Sequence, residues 1–201
     1  MRVLGIDQSL TGTGISIIDN DGIGESICHQ EEIATKEKGT KRLFLIKSKI
    51  KEILKEYKPD YVCREDYAYG SKGRSVFNLG ELGGVVDVLT YEHDYNIYKI
   101  PIMTWKKCLL GKGNVAKDTK YLLKFYKETQ IMFDTDNIAD SYGLANTLVK
   151  YINLKNDPNK IYNMWDYEQE AFFNDKKAKV DGFTFKKSLK EKVTHKYIQE
   201  F

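Results

Sequence analysis

Val3-Leu4-Gly5-Ile6-Asp7-Gln8-Ser9-Leu10-Thr11-Gly12-Thr13-Gly14-Ile15-Ser16-Ile17-Ile18-Asp19 is the stretch on which the fold turns. Residues 3–7 read as a short buried strand that ends on an acid. Thr11-Gly12-Thr13-Gly14 reads as a turn, and residues 15–19 as a second strand. Asn20-Asp21-Gly22 marks a further turn, and a third strand is expected around residues 25–34. Tight turns join antiparallel neighbours, so the chain opens with three antiparallel strands.

Working outward, Leu43, Ile46, Ile50, Ile53 and Leu54 form one apolar stripe with lysines opposite, which predicts a helix over residues 41–57. Pro59 stops it. Asp60-Tyr61-Val62-Cys63-Arg64-Glu65 predicts a central strand, again ending on an acid. Gly70-Ser71-Lys72-Gly73-Arg74 is a basic loop, followed by a helix over 75–92 whose Gly80, Gly83 and Gly84 thin one face for close packing. Residues 95–100 read as a strand ended by Pro101, and Thr104 is a candidate cap for a short helix through Leu110. A helix is expected over 115–128, and Asp134, Thr135 and Asp136 are cap candidates for another over 137–151. This order predicts an α/β domain over residues 1–151. Its mixed sheet would hold three antiparallel strands and then parallel ones, flanked by helices. Residues 152–201 lack a clear period, end in lysines, and are set apart as a C-terminal extension with a last helix over 186–199.

The chain has 201 residues, 41% of them hydrophobic and 30% charged, which suits a single packed domain rather than a disordered chain. No run approaches the ~20 apolar residues of a membrane span, and Asp7 comes too early for a secretory signal. A soluble cytoplasmic protein is expected. Cys28, Cys63 and Cys108 are scattered and His29, His93 and His195 isolated, which argues against a zinc knuckle, a disulfide framework or a Ser-His-Asp relay. A net charge of +3 is too mild to imply nucleic-acid binding. Basic residues nevertheless gather in 36–51, 99–120 and 176–192, and acids near 134–140 and 166–170. A solvated helix face is the plainer account of any one such run.

Three acids stand out by position. Asp7 and Glu65 end strands, and Asp140 lies one turn into a helix, with Asn137 three residues earlier on the same face. Strand ends and neighbouring helix starts build the ligand site of an open α/β sheet. If the first and fourth strands are adjacent, Asp7 and Glu65 protrude side by side. Three converging carboxylates without a basic partner repel, and a hard divalent cation relieves that repulsion through oxygen ligands. The set points to Mg²⁺, with Mn²⁺ as substitute. Two such ions ~3.5–4 Å apart can activate water and stabilise a leaving oxygen in phosphodiester hydrolysis. Taken singly, each acid is explained as a strand end or a cap.

Several motifs occur in an order that resembles the RuvC-type Holliday-junction resolvases, which have the RNase H-like fold. They are Gly5 to Gly14, Pro59 to Glu65, Asn78-Leu79-Gly80-Glu81-Leu82-Gly83-Gly84, Trp105 to Lys117, and Ala139-Asp140-Ser141-Tyr142-Gly143-Leu144-Ala145. The resemblance covers about residues 1–150. It implies that Asp7, Glu65 and Asp140 hold the catalytic metals, two per site. It also implies that Lys106 and Lys117 contact DNA near the scissile phosphate. Lys112 belongs to the same basic segment, although an ordinary exposed lysine is the plainer account of Lys107 and Lys112. Asn137 stands where many relatives have Asp, so it is a catalytic candidate without charge, and Asp134 or Asp136 could compensate. Relatives carry an aromatic wedge about three residues after the second acid; here that position is Ala68, flanked by Tyr67 and Tyr69. Either tyrosine could stack on an unpaired base, or pack against the domain edge.

The leading expectation is a metal-dependent endonuclease that resolves four-way junctions or other branched DNA. It would act as a homodimer, because paired symmetrical nicks call for two sites about a two-fold axis. The loop holding Lys72 and Arg74 would steer the DNA. The lysine-heavy composition suits a phage-borne member of the family. Three other readings stay open: a junction-binding module with impaired catalysis, a related nuclease acting on structured RNA, and a nucleotide-binding domain of the actin and sugar-kinase group. In the last, Gly12-Thr13-Gly14 would imitate a phosphate-binding turn.

Overall fold

The computed structural model describes residues 1–67, 74–172 and 199–200. Three strands lead: β1 (Arg2–Asp7), β2 (Gly12–Asn20) and β3 (Glu25–Ala34). Then come α1 (Gly39–Tyr57), β4 (Tyr61–Glu65), α2 (Arg74–Glu92), β5 (Ile97–Ile100) and α3 (Ile102–Leu110). The chain continues with α4 (Tyr121–Thr129), α5 (Asp136–Asn156), a 3-10 turn (Pro158–Asn163) and α6 (Asp166–Phe172), and β6 (Gln199–Glu200) adds a short last strand. The sheet order is β3-β2-β1-β4-β5-β6. β1 to β3 pair antiparallel, and β1, β4 and β5 run parallel, which is the expected mixed α/β sheet.

Alternation along the strands sends side chains to two different cores. Leu4, Ile6, Ile15, Ile17 and Val62 meet the apolar stripe of α1 and Leu82, Val86 and Leu89 of α2. Val3, Ile18, Cys63 and Ile100 meet α3, α4 and α5 on the opposite face. Between them, that second face is lined by small residues. A Cβ on Gly5 would lie 2.2 Å from the Ser141 carbonyl oxygen, and one on Gly14 1.9 Å from that of Asn137. Ser16 Oγ sits 2.8 Å from Ser141 Oγ. These residues let α5 lie directly on β1 and β2.

Several local expectations shift. Gly12, Thr13 and Gly14 are not a turn; they begin β2, and Thr13 Oγ1 donates to Ser9 O at 2.6 Å to close the shorter connection. Thr104 is a buried residue inside α3, whose cap position is Pro101. The helix expected from 115 starts at Tyr121. Among the three cap candidates, Thr135 takes the role, its Oγ1 accepting from Ile138 N at 3.3 Å. The compositional shift at 151 falls within α5, which continues to Asn156. Ile152, Leu154, Ala171 and Phe172 share one core with α3 and α4. The helix expected over 186–199 lies outside the described residues, except for Gln199, which pairs in β6.

Candidate active site

Ile6 is in register with Arg64 on the parallel neighbour strand, so Asp7 and Glu65 are the next residues along β1 and β4. Both lie at the carboxyl ends, where an α/β sheet opens its crevice. α5 brings Asp140, 1% exposed, down onto the same end. The three acids singled out from the sequence therefore share one corner of the fold.

Burial raises all three carboxyls above their ordinary range. Asp7 is raised well above it, with like-charge repulsion from Asp140 and Glu65 added to its burial. Burial pushes Glu65 up to about 7, opposed by the Trp105 indole N–H, which donates to Glu65 Oε2 at 3.2 Å. Asp140 is raised by burial against the pull of Lys117. Lys117 Nζ lies 2.7 Å from Asp140 Oδ2 and 3.1 Å from Asp136 Oδ2. Burial disfavours its charge, but the Asp140 carboxylate outweighs that and holds the ammonium above its usual value. Tyr121 Oη donates to Asp140 Oδ1 at 2.6 Å.

Lys106 is buried rather than displayed. Its Nζ donates to Val115 O at 3.2 Å and lies 5.4 Å and 5.3 Å from the ring centroids of Trp105 and Tyr121. Burial lowers its pKa, with Asp140 opposing. Lys112 is exposed and lines an open cleft of about 360 Å³ with Asn114, Lys124 and Lys127. Tyr67, two residues past β4, packs against α2, its hydroxyl donating to Gly80 O at 3.4 Å and its ring lying beneath Arg64. Tyr69 and Lys72 lie outside the described residues, and Arg74 is described only as the first residue of α2. Asn137 reaches the mouth of β2, with its amide nitrogen and Glu32 Oε1 both close to Gly12.

Trp105, Tyr121 and Glu32 were not singled out from the sequence as functional. A buried Trp or Tyr needs a partner for its polar atom, and that requirement was the available signal for the first two. Glu32 pairs across β2 with Gly14, which in turn pairs with Asp7. Only strand register places this acid in the row. Its Oε2 is buried with no hydrogen-bond partner among the described residues.

Among the described residues, no three acid, histidine or cysteine side chains gather closely enough to enclose an ion. The donors are nonetheless of the right kind: three carboxyl groups raised by burial, Asp7 further by the charge of the other two, whose ionised oxygens suit a hard cation. The nucleotide-binding alternative fails on geometry. Its phosphate turn would be Gly12-Thr13-Gly14, but these residues are strand, and the Asn137 backbone covers Gly14.

A mixed sheet with acids at the ends of adjacent parallel strands and a third on the covering helix is the RNase H-like arrangement. A family model described as crossover junction endodeoxyribonuclease RuvC matches residues 3–147, and the chain belongs to this family. It is 26% identical over 149 residues to a relative of that description from Caldicellulosiruptor saccharolyticus, covering 72% of this chain and 90% of the relative. Thermus thermophilus RuvC shares the fold, with a TM-score of 0.66 at 24% identity over 77% of this chain and 96% of the other. The same protein in complex with Holliday junction substrate gives 0.67 at 23% identity, with the same coverage. α6 lies beyond the family match.

Proposed function

We propose that this protein resolves four-way DNA junctions by paired nicks, as a homodimer dependent on a divalent cation. The observation that carries this reading is the meeting of Asp7, Glu65 and Asp140 at one end of β1, β4 and α5, in a chain of the RuvC family. Asp7, Glu65 and Asp140 would hold Mg²⁺, or Mn²⁺ in its place, two ions per site. When bound, such a cation favours deprotonation of water and balances charge on the departing oxygen.

The chain's own residues do the rest. Asn137 offers an amide at the edge of the site without adding charge. Tyr121 and Trp105 orient Asp140 and Glu65 through their hydrogen bonds. Lys117 is part-exposed beside Asp140, where its ammonium can meet a phosphate as DNA arrives. Lys106 holds the segment leading to Lys117 by its bond to Val115 O. Lys112, Lys72 and Arg74 would bear on the phosphate backbone farther out, and Tyr67 or Tyr69 on an unpaired base.

Paired nicks need two sites about a two-fold axis, and α2 has the face for a second copy. Phe77, Val88 and Tyr91 lie on its outside, 75%, 56% and 81% exposed, at helical spacing. Gly80 and Gly84 lie between them, where an added Cβ would meet no described residue within 4 Å. Among the described residues no helix is long and apolar enough to cross a membrane, and a cytoplasmic location suits a DNA substrate.

The test is an end-labelled four-way junction incubated with the protein in Mg²⁺, in Mn²⁺ or in EDTA, beside a linear duplex. Symmetrical nicks in the junction alone, and only with metal, are expected. Tight junction binding without cuts in either metal would replace the enzyme reading with a binding module. Neither binding nor cutting would limit the family likeness to fold.

A further inference from the structure

Arg64 breaks the rule of its strand. β4 lies between two parallel neighbours with helices on both faces, where apolar side chains are the norm, yet Arg64 is fully buried there. By alternation it follows Val62 to the α2 face, while Glu65 turns to the face of Trp105. Arg64 Nε and Nη2 donate to Asp87 Oδ1 and Oδ2 of α2 at 2.7 and 3.0 Å, a two-pronged pairing. Lys99 Nζ of β5 adds a second cation 3.0 Å from Asp87 Oδ2. The remaining prong, Nη1, crosses back and donates to the main-chain oxygen of Glu65 at 2.7 Å. The guanidinium also lies 4.7 Å from the Tyr67 ring centroid, and the Asp66 N–H is fastened to Ile100 O at 2.9 Å.

Buried ion pairs seldom stabilise a fold more than apolar residues of equal volume. What apolar residues cannot do is hold a carbonyl where a strand leaves its sheet. We propose that Arg64, gripped by Asp87 and Lys99, is a positioning residue for Glu65. It fixes the main chain at the exit of β4 from the opposite face of the sheet, and so ties the site carboxylate to α2. The proposal rests on the nuclease reading, and it adds that the outward-facing helix α2 is mechanically joined to the reacting centre.

The test compares the unchanged protein, Arg64→Lys, and a triple variant R64M/D87M/K99M in which the whole charged group becomes apolar. Removing one partner alone can unfold the chain; the triple variant avoids an uncompensated buried charge. The triple is expected to melt within about 5 °C of the unchanged protein, a small change in stability. Its junction affinity, measured in EDTA, should stay within about twofold, since binding rests on surface cations. Its kcat should fall about a hundredfold, the loss that a misplacement on the order of 1 Å brings. Amide hydrogen exchange supplies a readout independent of cutting: the Asp66 and Tyr67 amides should exchange about tenfold faster while β1 is unchanged, as for a local opening. A folded triple variant with normal kcat, or with undisturbed exchange at residues 66–67, overturns the positioning role and leaves the pair as packing. Failure of the unchanged protein to cut overturns the nuclease reading instead, and the exchange experiment still decides the role of Arg64 at the strand exit.

Discussion

The two faces of the sheet are built by different rules. Toward α1 and α2 the strands present Leu4, Ile6, Ile15, Ile17 and Val62, a run of branched apolar residues against an isoleucine-rich helix stripe. Toward α5 the same strands present Gly5, Gly14 and Ser16, and then Asp7 and Glu65 at their ends. The first face is a core of ordinary kind, stabilised by burial. The second gives up side-chain volume so that a helix backbone can approach, and the approach is what carries Asp140 to Asp7. Both sides carry an apolar core, but the acids gather on one side only, and Arg64 reaches from the other side to the main chain beside them.

Substitutions can break this contrast. Asp7→Asn or Glu65→Gln should lower junction cleavage by ~10³-fold or more, the scale of losing a charge-stabilising group. Binding in EDTA should hold, and gel-shift and cleavage assays on the same samples check both. Persistent cutting in both variants would remove these acids from the mechanism.

The same carboxylate should weaken the metal-free fold. Folded Glu65 titrates at about 7, above its ordinary 4.5, so between those values the native state holds a proton that the unfolded state has released. Stability in EDTA is therefore expected to fall as pH rises through this window, by on the order of 3 kcal/mol from this group. Glu65→Gln should flatten that decline and melt higher at pH 8. An equally steep decline in the variant would assign the effect to other groups.

Volume changes sharpen the comparison further. Gly14→Ala should cost about 1–3 kcal/mol through overpacking against the Asn137 backbone, and cleavage should fall with it as α5 is displaced. Ile17→Val, on the other face, should cost about 0.5–1.5 kcal/mol and leave cleavage per folded molecule unchanged. Denaturant titration paired with single-turnover cleavage separates the two outcomes. The smallest effect is electrostatic: Lys117→Ala should reduce the slope of log affinity against log salt by about 1. An unchanged slope and cleavage rate would return Lys117 to the ordinary surface.

Much of this is legible in the amino-acid sequence alone. Strands that end on acids are short-range features, as are the apolar stripe of α1 and the capping triplet before α5, because each depends on neighbours a few residues away. Less legible were features set by partners far along the chain. The glycines at 12 and 14 resemble a turn locally, and only the antiparallel pairing with β1 and the weight of α5 make them strand. Lys106 has the look of a surface cation in a basic segment, yet its buried place between two aromatic rings is a tertiary fact. By composition, residues 152–201 read as a C-terminal extension. Phe172, however, packs against Tyr151 with ring centroids 6.4 Å apart, which no periodicity within the segment announces.

The sequence by itself determined the mixed α/β architecture, the order of the elements through α5 and the three acids at element ends, because hydrophobic period and turn chemistry act over short stretches of chain. Only the tertiary structure decided which face each strand turns toward the acids, how Lys117, Tyr121 and Trp105 engage them, and that Arg64 bonds the Glu65 carbonyl from the far side of the sheet. Those outcomes depend on strand register and on how closely a helix can approach, and both are settled only when the whole core packs.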